Sequence, residues 1–271
     1  MFQPGEEGHA GARYMLQEGL VDVAPLADGT PSPVTGAFAL HITSSLPVGM
    51  VSTRGGSIMA SSDQLLITVH GRGGHASEPH RALDPIPIAC EIVQAMQMMV
   101  TRSIDIFDPS IVTVARITAG TTSNVIPETA TILGTIRAVS ERTRMKVHSG
   151  IQRVAENVAL AHDARAEILA SFGYPVTIND AHVAAEIHRV TDELFGKNYS
   201  SKMPNPVMGA EDWSYVLQQV PGAMAFLGAT PKGIDPRTVA NNHSNLVRFD
   251  EACMSTGIAL YAAMALDHLK P

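Results

Sequence analysis

The middle of the chain alternates apolar and polar residues in a way that predicts a self-contained α+β unit. Leu65, Ile67 and Val69 line one face of a half-buried strand, with Thr68 and His70 on the other. The pattern then predicts two helices, one starting at 84–85 and one over 141–162, and three further strands, over 110–119, 129–138 and 165–170. The order strand, helix, strand, strand, helix, strand is that of the split βαβ or ferredoxin-like fold. We therefore predict an inserted domain over residues 62–173.

The flanking segments have the alternation of helix and strand that is typical of an α/β layer. A short helix is predicted from His9 to Leu20, and the strand Thr35–His41 is predicted to deliver His41 at its end. Beyond residue 174 we predict helices over 181–195 and 251–269 and a short apolar strand over 222–228. The predicted domains are therefore 1–61, 62–173 and 174–271, with the first and last segments forming one domain.

Composition narrows the class of partner. The 271-residue chain is 45% hydrophobic, with a formal charge of -7 and a pI near 5.8. An acidic chain without a Lys/Arg-rich run argues against nucleic acid or a membrane surface as partner. No apolar run reaches the roughly 20 residues that cross a bilayer. With only two cysteines and no export signal, we expect a cytoplasmic protein that acts on a small molecule.

Two adjacent carboxylates on a Gly/Pro-framed turn, Glu6 and Glu7, are the first candidate for chemistry. Consecutive side chains leave a turn in different directions, so one carboxylate can bind a metal ion while the other takes a proton from water. The structural alternative is that both acids complement the positive end of the following helix dipole. Glu211 and Asp212 pose the same choice, between dipole partners of a helix and a role in shaping a pocket.

Histidines recur in Gly/Pro-rich settings further along the chain. His41 follows a predicted strand, where a histidine can be structural or a ligand. His75 lies in the glycine-rich loop 71–80, which is not a phosphate-binding loop because no Lys-Ser/Thr follows it.

Six groups of residues, in order along the whole chain, resemble the metal-dependent amidohydrolases and peptidases that include hippurate hydrolase, N-acyl-amino-acid deacylases and auxin-conjugate hydrolases. The matching segments are Phe2-Gln-Pro-Gly-Glu-Glu-Gly8, Leu40-His41 with Pro47-Val-Gly49, Gly71-Arg-Gly-Gly-His-Ala76 with Pro79-His80 and Asp84-Pro85, Asn124-Val-Ile-Pro127, Gly134-Thr-Ile-Arg137, and Gly209-Ala-Glu-Asp212.

This resemblance implies an α/β protein with a partial zinc-peptidase-like three-layer catalytic domain and an inserted ferredoxin-like α+β domain that acts as lid and dimerisation surface. The implied activity is hydrolysis of the amide bond of N-acyl amino acids (hippurate-like) or small peptides. The implied cofactor is zinc, manganese, cobalt or nickel, one or two ions per subunit of a homodimer.

Residue roles follow from the motif match alone. Glu6 would be the general base, and Glu7, His41 and His243 would be metal ligands. Carboxylate oxygen with imidazole suits the four metals named above.

The predicted insert would supply substrate-binding residues. His75 and Asn124 resemble family residues that cross a dimer interface to hold the oxyanion and the substrate carboxylate of the partner subunit. Arg137 is the third substrate-binding candidate, with a surface ion pair as its structural alternative.

One family motif has no match here. The family carries a Cys-Gly-His-Asp-x-His type motif upstream of the carboxylate turn, whereas this sequence starts on the turn itself. We therefore expect an N-terminally truncated member, poorly stable alone and with little or no hydrolase activity, whose insert folds regardless. The alternative is an inactive remnant that retains only dimerisation through the insert.

Overall fold

A computed structural model describes residues 3–270; Met1, Phe2 and Pro271 lie outside the described residues, so Phe2 of the first motif is not placed. The chain divides into two compact units. The discontinuous unit comprises Met1–Ile58, Thr177–Val207 and Glu211–Pro271, and the central unit comprises Met59–Val176 with Met208–Ala210.

The described residues form a mixed α/β protein. The strands are β1 (Ala37–Pro47), β2 (Val51–Thr53), β3 (Gly56–Met59), β4 (Ser62–His70), β5 (Gly74–His75), β6 (Ser110–Ala119), β7 (Val125–Ile126), β8 (Thr129–Ala138), β9 (Arg165–Tyr174), β10 (Thr177–Asn179), β11 (Ser200–Lys202) and β12 (Gly222–Thr230). The helices are α1 (Glu6–His9), α2 (Gly11–Gln17), α3 (Pro85–Ser103), α4 (Glu141–Ala161), α5 (Ala181–Phe195), α6 (Ser214–Leu217) and α7 (Cys253–His268).

The discontinuous unit is built on a four-stranded sheet of order β1-β12-β2-β11. β1 and β12 are parallel, β12 and β2 antiparallel, and β2 and β11 parallel. Every residue of β12 is buried, and residues of α5 and α7 such as Ile187 and Leu260 share one apolar cluster with it. Fully burying an aliphatic side chain contributes roughly 1.5–3 kcal/mol, so this layer positions β1 and β12 firmly.

Two predictions for the N-terminal segment are wrong in detail. β1 does not end at His41 but continues to Pro47, because its pairing with β12 runs on through Thr43 and is completed by Pro47 opposite Thr230. The single helix predicted from His9 is two short helices, since Ala10 adopts a left-handed φ of 53° between α1 and α2.

The central unit has the predicted order of elements. Its sheet order is β6-β8-β4-β9 with antiparallel pairing throughout, and α3 and α4 share one apolar core with it. The predicted bounds of β6 and β8 are confirmed, whereas β9 runs past the predicted residue 170 to Tyr174 because it stays paired with β4 as far as Ser62. The central unit extends a few residues beyond the predicted 62–173 at both ends.

A buried ionic cluster joins β4, α4 and β9 inside the central unit. Asp63 is 1% exposed and accepts hydrogen bonds from Arg144 Nε at 2.9 Å, Arg144 Nη2 at 2.5 Å, His148 Nε2 at 2.8 Å and the Gly173 amide at 3.0 Å. Phe172 covers both partners, with its ring centroid 4.4 Å from that of His148 and 5.0 Å from the Arg144 guanidinium. The carboxylate is thus fully satisfied in a dry site.

Within residues 3–270, no helix combines the length and the apolar character needed to cross a bilayer.

Candidate active site

The carboxylate turn takes its shape from positive φ angles. Gly5 has φ 59° and Gly8 has φ 84°, values that cost glycine little and other residues much. Glu7, between them, has a non-helical ψ of 69°, so α1 is a kinked turn and not a regular helix. The two carboxylates therefore separate as expected: Glu6 lines a cavity, whereas the Glu7 side chain is 75% exposed.

A cavity of about 910 Å³ lies in the discontinuous unit beside β1. Its polar lining includes Glu6, His41 and Glu211, and its apolar wall includes Trp213 and Met224. A concave, mostly apolar site with a few converging polar groups is the usual form of a small-molecule site.

Three carboxyl groups cluster beside this cavity, and two of them, those of Glu6 and Glu211, line it. Oxygen atoms of Glu6, Glu211 and Asp212 all lie within 4.8 Å of one another, which is close enough to share one cation. Asp212 is fixed by the Ala12 amide at 2.9 Å and by the side-chain amide of Gln3. Glu211 accepts a hydrogen bond from the amide of Trp213 at 3.2 Å.

The burial and proximity of these three carboxyl groups destabilise their ionised forms. Burial, followed by the charge of Glu6, raises the pKa of Glu211, and burial likewise raises the pKa of Asp212 despite the hydrogen bonds that it accepts. Burial, followed by the charges of Glu7 and Asp212, raises the pKa of Glu6. Converging carboxylates that destabilise one another fit a divalent cation, whose charge would offset the repulsion.

The predicted histidines have different neighbours: His243 lies beside Glu7, and His41 lines the cavity that Glu6 and Glu211 also line. His243 Nδ1 is 3.7 Å from Glu7 Oε1, and a positive charge on His243 acts on Glu6, where it lowers the pKa. His41 Nδ1 donates to the carbonyl oxygen of Ile42 at 2.7 Å when it carries the ring proton, which directs the lone pair of Nε2 outward in the manner of a metal-ligating histidine.

The structure thus groups the predicted residues in two ways. Glu6 and His41 share the cavity wall, and Glu7 pairs with His243. Shared ligation of one ion by Glu7, His41 and His243 stays a prediction. Glu211 was not among the predicted ligands, although it belongs to the last of the matching motifs, because the sequence alone does not distinguish a first-turn helix acid from a cavity acid.

The remaining three predicted residues belong to the central unit. His75 and Asn124 lie on β5 and immediately before β7, two strands that pair with each other, and both are exposed. Arg137 lies on β8, where its Nη1 donates to the carbonyl of Ile136 at 3.3 Å. Burial lowers the pKa of Arg137, an effect that the charge of Asp63 opposes.

Residues 1–267 match the model of peptidase family M20/M25/M40, and the chain belongs to this family. The resemblance inferred from the six groups of residues is thereby confirmed.

Similar proteins include enzymes with different substrates. Thermostable carboxypeptidase 2 of Saccharolobus solfataricus is 34% identical over 269 residues, covering 98% of this chain and 64% of that protein. IAA-amino acid hydrolase ILR1-like 2 of Arabidopsis thaliana is 32% identical over 274 residues, covering 100% of this chain and 59% of that protein. The chain therefore spans about three fifths of the length of these relatives.

A solved structure is also similar. The YXEP protein of Bacillus subtilis, described as a dinuclear metal binding peptidase from the M20 family, superposes with a TM-score of 0.76 at 26% identity, over 99% of this chain and 64% of that one.

Proposed function

We propose that this protein is a metal-dependent hydrolase that cleaves the amide bond of N-acyl amino acids, including hippurate-like ones, or of small peptides. The observation that carries the proposal is the meeting of a half-buried carboxylate, Glu6, with His41 and Glu211 in one cavity. The two relatives are named as a carboxypeptidase and an IAA-amino acid hydrolase, and both names describe cleavage of a bond to an amino acid. These names support the proposed substrate class, and they favour a hydrolase over an inactive remnant.

The donor atoms present suit zinc, manganese, cobalt or nickel. Glu7, His41 and His243 would hold the metal. The carboxyl groups of Glu211 and Asp212 cluster with Glu6. A bound divalent cation supplies a Lewis acid that polarises the amide carbonyl and makes water nucleophilic near neutral pH.

Glu6 supplies the proton transfers. Its carboxylate takes a proton from the attacking water and passes it to the leaving amine, so that the amine departs neutral. The apolar wall that includes Trp213 and Met224 lines the same cavity as the half-buried Glu6 and limits the access of bulk water to its carboxylate. His75, Asn124 and Arg137 are proposed to bind substrate, acting on the site of the partner subunit in a cytoplasmic homodimer formed through the central unit.

The test is a panel of N-acyl amino acids and dipeptides assayed with added Mn²⁺ or Zn²⁺. We expect turnover of at least one substrate in the panel, and we expect that turnover to depend on the added metal. Glu6→Gln keeps the shape of the side chain and removes the base, so we expect a loss of about 10²–10⁴-fold in kcat. Glu18→Gln, an exposed acid beyond α2, is the matched control.

Two results would refute the proposal: no metal-dependent turnover of any substrate in the panel, or Glu6→Gln as active as the control.

A further inference from the structure

The glycine-rich loop of the central unit is hydrogen-bonded to the segment that carries Asn124. His75 pairs with Val125 in the β5–β7 ladder, and the amide of Ala76 donates to the carbonyl of Asn124 at 3.1 Å. Gly74 lies so close to Ala82 that an added Cβ would be 2.8 Å from the Ala82 Cβ. The backbones of His75 and Asn124 are therefore held side by side.

The His75 ring is oriented by Ser77. Nδ1 of His75 lies 3.1 Å from the amide nitrogen of Ser77 and 2.7 Å from its Oγ. A backbone amide can only donate, so Nδ1 must be an acceptor and the proton of the neutral ring resides on Nε2. Ser77 thereby occupies the acceptor of the imidazole and leaves the Nε2–H donor directed away from this contact.

Asn124 has a similar contact, but with a residue that precedes it in the chain. The Thr122 hydroxyl, two residues before it, donates to Asn124 Oδ1 at 3.1 Å. With that oxygen engaged, the amide presents its NH₂ group for other contacts. His75 and Asn124 thus each accept a hydrogen bond from a residue two positions away, Ser77 and Thr122 respectively.

We propose that Ser77 and Thr122 are positioning residues that orient His75 and Asn124 to present their N–H groups as hydrogen-bond donors, complementary to a carboxylate or to a carbonyl oxygen that gains negative charge. The inference rests on the proposed function, which assigns substrate binding to His75 and Asn124. Donors that are fixed before substrate arrives lose little orientational freedom on binding, and this is why their effect is largest where charge develops.

The orientation of the ring is tested without any turnover. In the intact protein with ¹⁵N-labelled histidine, long-range ¹H–¹⁵N spectra report which ring nitrogen carries the proton, and His75→Gln identifies the signals. We expect Nε2–H in the neutral ring, and a changed Nδ1 chemical shift in Ser77→Ala but not in Ser149→Ala. Ser149 is a matched control because its exposed hydroxyl donates locally to the Lys146 carbonyl at 3.0 Å.

The inference is overturned if the neutral ring carries its proton on Nδ1, or if the Nδ1 chemical shift is the same in Ser77→Ala as in wild type. Either result counts against it even if the protein is an active hydrolase. Conversely, these spectra can support the inference when the activity panel fails, so the two failures are distinguishable.

Kinetics provides the second test. We expect Ser77→Ala to lower kcat by roughly two- to tenfold with little change in KM, because the hydrogen bond acts through a donor used in the transition state. Ser77→Thr, which keeps a hydroxyl, restores the rate. In a His75→Ala background, Ser77→Ala has no further effect, and Thr122→Val behaves in the same way with Asn124→Ala. Equal losses in both backgrounds overturn the positioning role.

Discussion

The buried carboxylate of Asp63 allows a quantitative prediction about the central unit. Asp63→Asn preserves the size of the side chain but removes the charge that four hydrogen bonds and the Arg144 guanidinium neutralise. Arg144 is 5% exposed and would keep only Glu141 as a charged partner. Removing one partner of a buried ion pair costs about 3–5 kcal/mol, and we expect a loss of about 3 kcal/mol in the free energy of unfolding at pH 7.

The same cluster fixes a pH dependence. Burial tends to raise the pKa of Asp63, but the hydrogen bonds from Arg144 and His148 and the charge of Arg144 outweigh it and lower the pKa from 3.8 to about 2. A pKa depressed on folding stabilises the protein above the unfolded value and loses this contribution as the pH falls toward the folded value. At about 1.4 kcal/mol per unit the full contribution is about 2.5 kcal/mol, of which about 1 kcal/mol is lost by pH 3.

The assay exploits the single tryptophan. Trp213 is the only tryptophan of the chain and belongs to the discontinuous unit, so its fluorescence follows that unit. Far-ultraviolet circular dichroism reports both units, so hydrogen exchange of β4 and β8 peptides across a urea titration follows the central unit. The stability difference between wild type and Asp63→Asn should be greatest near pH 7 and should narrow between pH 5 and pH 3.

Asp108→Asn is the matched control, because Asp108 also accepts from an arginine, Arg142, but near the surface, where that arginine is exposed. Its effect should be clearly smaller than that of Asp63→Asn. If Asp63→Asn is as stable as wild type at pH 7, or if the difference does not narrow on acidification, the ionic account of this cluster is wrong.

Two further predictions concern the discontinuous unit. Prolonged chelation should abolish hydrolysis, and Mn²⁺ or Zn²⁺ should restore it. His41→Ala should lower the metal content measured by mass spectrometry. Full turnover by metal-free protein would contradict the proposed chemistry. Asn179→Ala removes a 2% exposed amide that bridges Thr53, Arg54 and Met224, and we expect a loss of about 3 kcal/mol in unfolding followed by Trp213 fluorescence. Asn198→Ala, an exposed asparagine of the same unit, is its control, and equal effects of the two variants would count against the buried network.

The elements that could be predicted from the sequence are those whose pattern is set by a neighbouring layer. β8 alternates strictly between buried and less buried residues, and the bounds of β6 and β8 agree with the prediction. α5 runs over the predicted 181–195 before Gly196. The short strands β2, β3, β10 and β11 were not predicted, because three or four residues carry too little periodicity and depend on partners far along the chain. The extension of β1 past His41 has the same cause, since it depends on pairing with β12.

The candidate site divides along similar lines. The pairing of Glu7 with His243 joins distant residues that only the family resemblance could link. Local chemistry identified Glu6, yet it left Glu211 undecided, since the proximity of these two carboxylates is created by the fold. The roles of Ser77 and Thr122 could not be predicted from the sequence, because the function of a loop hydroxyl depends on the atom to which it is hydrogen-bonded.

The unit that holds the cavity is assembled from separate segments of the chain, so its strands are synthesised at different times. Met59–Val176 is synthesised well before β12, so this segment of the central unit can fold while β1 still lacks the strand beside it. For that interval an eleven-residue strand is open to chaperones or to misassociation with other nascent chains. The cavity that Glu6 lines can therefore be completed only after β12 has been translated, however early Glu6 emerges.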